Sequence, residues 1–312
     1  MRTMFEFARE YGVYLTKKQG DNEDGPFPIF EAIVSEVLRA GVELYKGAKV
    51  SRKTHPRFVD LSVAIEDGLP SDPPGLIPKI DYVDHLTGAE EMTTLFCPGL
   101  AREQLPAGLG WAVEHVRLTT HAGTHLDAPY HYAPTMDHGK RALTIDEIPL
   151  EWCFHDGVVL DFRRKADGEI ITIDDIEKEV YRIRYEIKPF DIVLIQTGAD
   201  AAWGTQKYLE KGAGMAREGV LYLAEKGVKV MGIDSWSFDR PMQAQAKDFA
   251  KTGNPGVVWE AHFAGRDCIY CHMEKLANLS GIGRPHGFTV CCFPIKIKGA
   301  SAGWVRPVAI VP

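Results

Sequence analysis

Long apolar runs are missing from this chain. No stretch approaches the ~18 uninterrupted apolar residues that a membrane-spanning helix requires. An excess of basic charge is missing too: the formal net charge is −7, which argues against nucleic acid or an anionic membrane as the main partner. Cysteine is scarce. Six residues, at positions 97, 153, 268, 271, 291 and 292, are too few and too scattered for a disulfide scaffold in 312 residues, and most are expected to be small buried apolar groups. The first ten residues carry acids where a signal peptide would be apolar, so a cytoplasmic location is expected. No internal repeat is visible. What is present is ordinary: 45% apolar and 25% charged residues, enough for a sizeable core in one large domain or a domain with an extension.

The organisation changes near residue 58. Residues 1–57 read as an N-terminal helical extension: after the polar cluster Asp21–Pro26, Ile29, Ile33, Val34, Val37, Leu38, Val42 and Tyr45 recur at helical spacing and Gly47 is a stop. One amphipathic helix cannot make a core, so it should pack on the main body or another subunit. Residues 58–312 form the main domain. Strands are expected at Phe58–Ser62, within Trp111–Pro129, and at Val158–Phe162, Asp191–Gly198, Val228–Asp234, Phe288–Phe293 and Val305–Val311. Helices are expected after the cap Thr172, with Ile176, Val180 and Ile183 on one face, and over Met215–Lys226 before Gly227. A proline-rich loop through Pro70, Pro73, Pro74 and Pro78 is expected over a site. Strands and helices interleave without strict alternation, so the class is α/β with a mixed sheet, or α+β.

The chemistry concentrates in His121-Ala-Gly-Thr-His125-Leu-Asp127-Ala-Pro-Tyr-His131. Three histidines and a carboxylate within eleven residues are ligand types for a divalent metal. If the preceding extended backbone continues, His121, Gly123, His125, Asp127 and His131 share a face, and Gly123 leaves room for an ion or substrate near the backbone. Pro129 should break the strand and turn His131 across the site. A lone histidine is more often structural, but this cluster is costly unless something compensates it. A helical zinc-protease reading fails, because Gly123, Thr124 and Pro129 disfavour a helix and Ala122 stands where the glutamate would be.

Three further features are weaker. Cys268-Ile-Tyr-Cys271-His272 matches the haem-attachment pattern, but that chemistry belongs to exported proteins, and two buried thiols are expected instead. Asp234-Ser-Trp236-Ser-Phe-Asp239 follows a buried strand, where open sheets place ligands; Trp236 is a candidate substrate contact, or simply core. His262 and Glu274 would not stand out alone.

The His121–His131 segment resembles the signature of the metal-dependent cyclase hydrolase family, which includes bacterial kynurenine formamidase and isatin hydrolase. The resemblance runs from about Phe58 to the C-terminus. Gly232–Asp239 is similar to the family's Gly-Ile-Asp-x-x-Ser-x-Asp segment, and Met273–Leu279 to its Glu-Asn-Leu-x-Asn-Leu segment, with Lys275 in place of the usual asparagine. It implies a swivelling β/β/α domain, a homodimer or homotetramer, and one or two divalent ions, zinc first and manganese as the alternative. It further implies His121, His125 and Asp127 as metal ligands, His262 and Glu274 completing a second position, and His131 as general acid/base. The implied reaction is hydrolysis of a small amide, an N-formyl arylamine or a cyclic amide, by metal-activated water. A lactone hydrolase and a non-catalytic metal-binding protein are the alternatives.

Overall fold

A computed structural model describes residues 55–312. The helix expected over residues 29–45, and with it residues 1–54 of the expected extension, lies outside the described residues; Arg57, its last expected residue, opens the first strand.

The main body is built on one nine-stranded mixed sheet. Its strands are β1 (Arg57–Asp60), β2 (His125–Asp127), β3 (Phe154–Asp161), β4 (Ile192–Gln196), β5 (Val230–Ile233), β6 (Cys271–Glu274), β7 (Phe288–Cys291), β8 (Ala302–Trp304) and β9 (Val308–Val311). Across the sheet they run β1-β9-β7-β3-β4-β5-β6-β2-β8. The middle four, β3 to β6, are parallel to one another, and every outer pairing is antiparallel. Parallel strands need crossovers, supplied here by helices α1 (Ile173–Arg182), α2 (Arg217–Glu225) and α3 (Met242–Thr252).

Local sequence explains the central elements. Strand β4 reads Ile-Val-Leu-Ile-Gln and is buried at every position, as a strand covered on both faces must be. Its alternate residues feed two cores: Ile192 and Leu194 pack with Val159, Val230 and Met273, whereas Val193 and Ile195 pack with Val158, Ile176, Val220 and Leu223. Helix α1 starts where Thr172 Oγ1 accepts from Asp175 N and the Asp175 carboxylate accepts from Thr172 N. Helix α2 is followed by Gly227 at φ +88°, the left-handed turn that directs the chain into β5.

The expected elements appear with two corrections. Strands β6 and β8 and helix α3 were not among them. Cys-His-Met-Glu and Ala-Gly-Trp carry no β-branched residue, and their pairing is imposed by neighbouring strands rather than by propensity. The extended run from Trp111 to Pro129 is in fact two strands in different sheets. Val113–Arg117 pairs with Lys79–Val83 in a separate two-stranded ribbon, and residues 120–124 turn before β2 begins. Among the described residues no helix is long and apolar enough to cross a membrane.

Because β4 is the shared wall of both cores, Leu194→Ala should destabilise the protein by about 2–5 kcal/mol. Tyr181→Ala, at a site 86% exposed on α1, should cost less than about 0.5 kcal/mol. Urea unfolding midpoints at unchanged slope are the measurement; equal shifts for the two variants would contradict this account of the core.

Candidate metal centre

The site is written in the register of two neighbouring strands. Strand β6 sends Cys271 and Met273 into one core, so His272 and Glu274 must point to the opposite face. Strand β2 sends Leu126 into the same core, which turns His125 and Asp127 to that same opposite face. The antiparallel pairing sets His272 opposite Asp127 and Glu274 opposite His125. Four ligand-type side chains thus form a square on one patch of sheet, all of them buried.

Three more histidines close over this square. His121 arrives from the turn at 120–124, with Nδ1 2.9 Å from Asp127 Oδ1. That corrects the expected continuous alternation: Gly123 sits at φ +61°, and a Cβ there would meet Ile65 Cγ1 at 2.8 Å. The glycine serves a tight turn and a close approach, not space for an ion. His262 descends from the one-turn helix Glu260–Phe263, with Nε2 3.8 Å from Asp127 Oδ2 and 3.4 Å from Glu274 Oε1. Pro129 opens the one-turn helix Pro129–Tyr132, which carries His131 across the site, its Nε2 3.8 Å from Asp127 Oδ2.

Both carboxylates are divided between two halves of the cluster. Asp127 presents Oδ1 to His121 and His125 and Oδ2 to His262 and His272. Glu274 presents Oε1 to His262 and His272 and Oε2 to His125, 3.6 Å away. The ligand atoms fall into two groups, Asp127–His262–His272–Glu274 and His121–His125–Asp127, each within 4.8 Å. The structure therefore brings together all six residues expected from the sequence and adds His272. That histidine lay inside the Cys-x-x-Cys-His pattern, which drew attention to the thiols. The signal that would have found it is its two-residue spacing from Glu274. Of the two thiols, Cys271 is buried as expected, but Cys268 is only half-buried.

A divalent ion fits this arrangement. His125 Nε2, His272 Nε2 and both Asp127 oxygens are buried without a well-formed hydrogen bond among the described residues, although His121 Nδ1 and His125 Nε2 lie 2.9 and 3.2 Å from Asp127 Oδ1, and His272 Nε2 lies 3.2 Å from Oδ2. They crowd round common points instead of pairing, which is costly unless a cation sits among them. The titration behaviour agrees. Burial would depress His272, but Asp127 and Glu274 outweigh it and lift it to about 9. Burial would raise Asp127, yet the surrounding histidines hold it well below the usual carboxylate range. His131 behaves differently: burial, with His121 and His262 beside it, outweighs Asp127 and brings it down to about 4.

The far nitrogen of each inward-facing histidine is anchored. His125 Nδ1 meets Gly123 O at 2.9 Å, His272 Nδ1 meets Tyr132 Oη at 3.1 Å, and His121 Nε2 meets Ser301 Oγ at 3.0 Å. His262 Nδ1 is bound by Asp239, a fully buried carboxylate that also accepts from Ala261 N at 2.8 Å. Asp239 belongs to the Asp234–Asp239 segment, and Asp234 in the same segment is structural, gripping Thr197 and Gly198. His131 alone among the five has no hydrogen bond on either ring nitrogen among the described residues, and it faces a cavity of about 250 Å³. Trp236, Trp259, Asp72, Leu76 and Lys275 line that cavity too, so the proline-rich loop does cover the site.

His272→Ala should lose bound divalent metal, read by elemental analysis of the dialysed protein. Asp239→Asn, which touches no ion, should weaken metal affinity by about 10- to 100-fold. Full metal content in both variants would show that the cluster is not a metal centre.

Comparison with known proteins bears on the family and the fold. The family model described as "Putative cyclase" matches residues 59–240, more than half of the chain. An isatin hydrolase structure bound to the product analogue thioisatinate superposes with a TM-score of 0.64 at 19% identity, covering 89% of this chain and 98% of that one. Isatin hydrolase A from Ralstonia solanacearum gives 0.63 at 20% identity, covering 94% and 100%. An uncharacterised Haemophilus influenzae protein is 27% identical over 129 residues, 38% of this chain and 79% of its own length. The structural likenesses establish a shared fold, a curled mixed sheet with helices, and the match over residues 59–240 places this chain in the putative cyclase family.

Proposed function

We propose that this chain is a metal-dependent hydrolase that cleaves an amide-type C–N bond in a small aromatic substrate, an N-formyl arylamine or a cyclic amide. The observation that carries the reading is the divided pair of carboxylates. Asp127 and Glu274 each offer one oxygen to either half of the cluster, directly beside a histidine that is open to a cavity.

In this reading His121, His125, Asp127, His262, His272 and Glu274 hold one or two divalent ions. Their nitrogen and oxygen donors, without thiolate, suit zinc or manganese. Such an ion supplies Lewis-acid chemistry, acidifying water and polarising a carbonyl. The remaining work falls to the protein. His131 takes a proton from water at Nε2 and returns it to the leaving nitrogen, so the carbonyl carbon gains hydroxyl and the nitrogen gains hydrogen. No serine or cysteine nucleophile is needed. Trp236 and Trp259 form aromatic walls suited to a flat ring, and the thioisatinate bound by a structurally similar isatin hydrolase supports a ring amide or its opened product as the ligand type.

The test is His131→Ala in the metal-loaded protein, assayed on N-formyl arylamines, isatin-like ring amides and aryl lactones. Metal content should stay at the wild-type level while kcat/KM drops by about 10²- to 10⁴-fold. Undiminished turnover would remove His131 from the mechanism. Wild-type turnover confined to the lactones would replace the amide reading.

A further inference from the structure

Between the proline-rich loop and the metal cluster lies a buried ion pair that the hydrolytic chemistry does not use. Asp72 is 6% exposed and Lys275 2%, and the Lys275 ammonium binds Asp72 Oδ1. The Trp236 indole N–H donates to the same oxygen at 2.9 Å. Lys275 Nζ also donates to the carbonyl of His121 at 2.9 Å and sits 5.8 Å from the centre of the Trp236 ring. Four segments far apart in sequence, at residues 72, 121, 236 and 275, are thereby fixed against each other at the cavity wall.

The backbone of Lys275 shows that this placement is strongly held. Its φ is +58°, a left-handed conformation that glycine or asparagine adopts more cheaply than lysine. It is clamped there from both sides: its N–H donates to Ser235 O at 3.0 Å, and its carbonyl accepts from Thr124 Oγ1 at 2.6 Å. Strain of this kind persists where the surroundings over-determine it, and such positions cluster at ligand sites.

What this arrangement prepares is the other oxygen of Asp72. Oδ1 takes both donors. Oδ2 receives none among the described residues, yet it is not sealed off, because Asp72 lines the cavity shared with His121, His131 and Trp236. The carboxylate cannot turn away without losing an indole and an ammonium. A carboxylate oxygen is acceptor-only, so its complement on a ligand is an N–H or O–H.

We propose that Asp72 is a specificity-determining residue whose Oδ2 accepts a hydrogen bond from the N–H of an amide or lactam substrate. The site thereby selects N–H amides over N-alkyl amides and lactones. The inference rests on the hydrolase reading for its substrate class, but ligand binding tests it without turnover. The probes are oxindole and N-methyloxindole, titrated calorimetrically into the metal-loaded full chain. Wild type should bind oxindole about 10- to 100-fold more tightly, the worth of one hydrogen bond to a charged acceptor. In Asp72→Asn the amide oxygen stays with the Trp236 and Lys275 donors, so the NH₂ group turns toward the cavity and donor meets donor. Oxindole affinity should fall about tenfold or more while N-methyloxindole stays within about twofold. Asp72→Ala, checked for folding by circular dichroism, should abolish the preference as well. Equal losses for both probes would reduce Asp72 to a structural part, and unchanged oxindole affinity would sink the idea, as would a wild type that binds no oxindole. If wild type shows this selectivity yet turns over no amide, the hydrolase reading fails and the Asp72 contact stands.

Discussion

Two carboxylates buried side by side are the constraint that the site has to accommodate. Asp127 has no exposure and Glu274 only 7%. Burial alone would drive both toward their protonated forms. They stay ionised because imidazoles surround them: burial and the nearby Asp127 push Glu274 up, but His272 and His262 prevail and hold it at about 2. Positive charge must therefore be supplied to this spot, by protons on the histidines or by a metal ion. Protons would consume the very lone pairs that point inward, whereas an ion uses those lone pairs and the carboxylate oxygens together. The divided geometry of both carboxylates favours the ion.

The fold supplies what such a cluster needs, a rigid floor. Strands β5 and β6 belong to the parallel centre of the sheet, while β2 pairs antiparallel with β6 at its flank. The ligand-type residues sit at that change of direction, where one strand from each pattern contributes two side chains. Their opposite faces, Leu126, Cys271 and Met273, are fully buried core. A slip of one residue in the β2–β6 register would exchange the His/Asp/Glu cluster for core residues, so hydrophobic packing fixes the alignment that gathers the cluster. Aromatic rings pack on two of the cluster's histidines: Phe238 and Tyr132 stack on His272, and Trp259 stacks on His262 at 4.3 Å.

How much of this could be read from the sequence depended on whether a residue carried its own local signal. The apolar runs of β3, β4 and β5 and the capped helix α1 were legible because burial on both faces and capping leave one-dimensional patterns. His121 to His131 were legible as a dense cluster, although the reason for their convergence was not. A turn at Gly123, pressed against Ile65, replaces the expected alternation, and its need was invisible without knowing what packs there. His262 and Glu274 came from resemblance. His272 and Asp239 were missed because each reads as part of another pattern, and only the fold shows that His272 faces Asp127 and that Asp239 grips His262. Pairing between strands more than a hundred residues apart leaves no trace in local composition.

The histidines also separate by what holds the nitrogen that faces away from the cluster, which bears on role more directly than distance does. A metal ligand gains from a fixed ring, since a second hydrogen bond sets its tautomer and aims its lone pair. His125 has a backbone carbonyl for this, His262 a carboxylate, His272 a phenol and His121 a hydroxyl. A proton carrier needs the reverse: a ring whose nitrogens are free to exchange partners as water and the leaving group change places. His131 has that freedom among the described residues, and its contacts are with the rings of His121, Trp259 and His262. One motif thus delivers ligand-type side chains on a strand and in a turn whose neighbours fix them. Beyond Pro129 it delivers a third histidine, which the structure leaves unbound at the cavity wall.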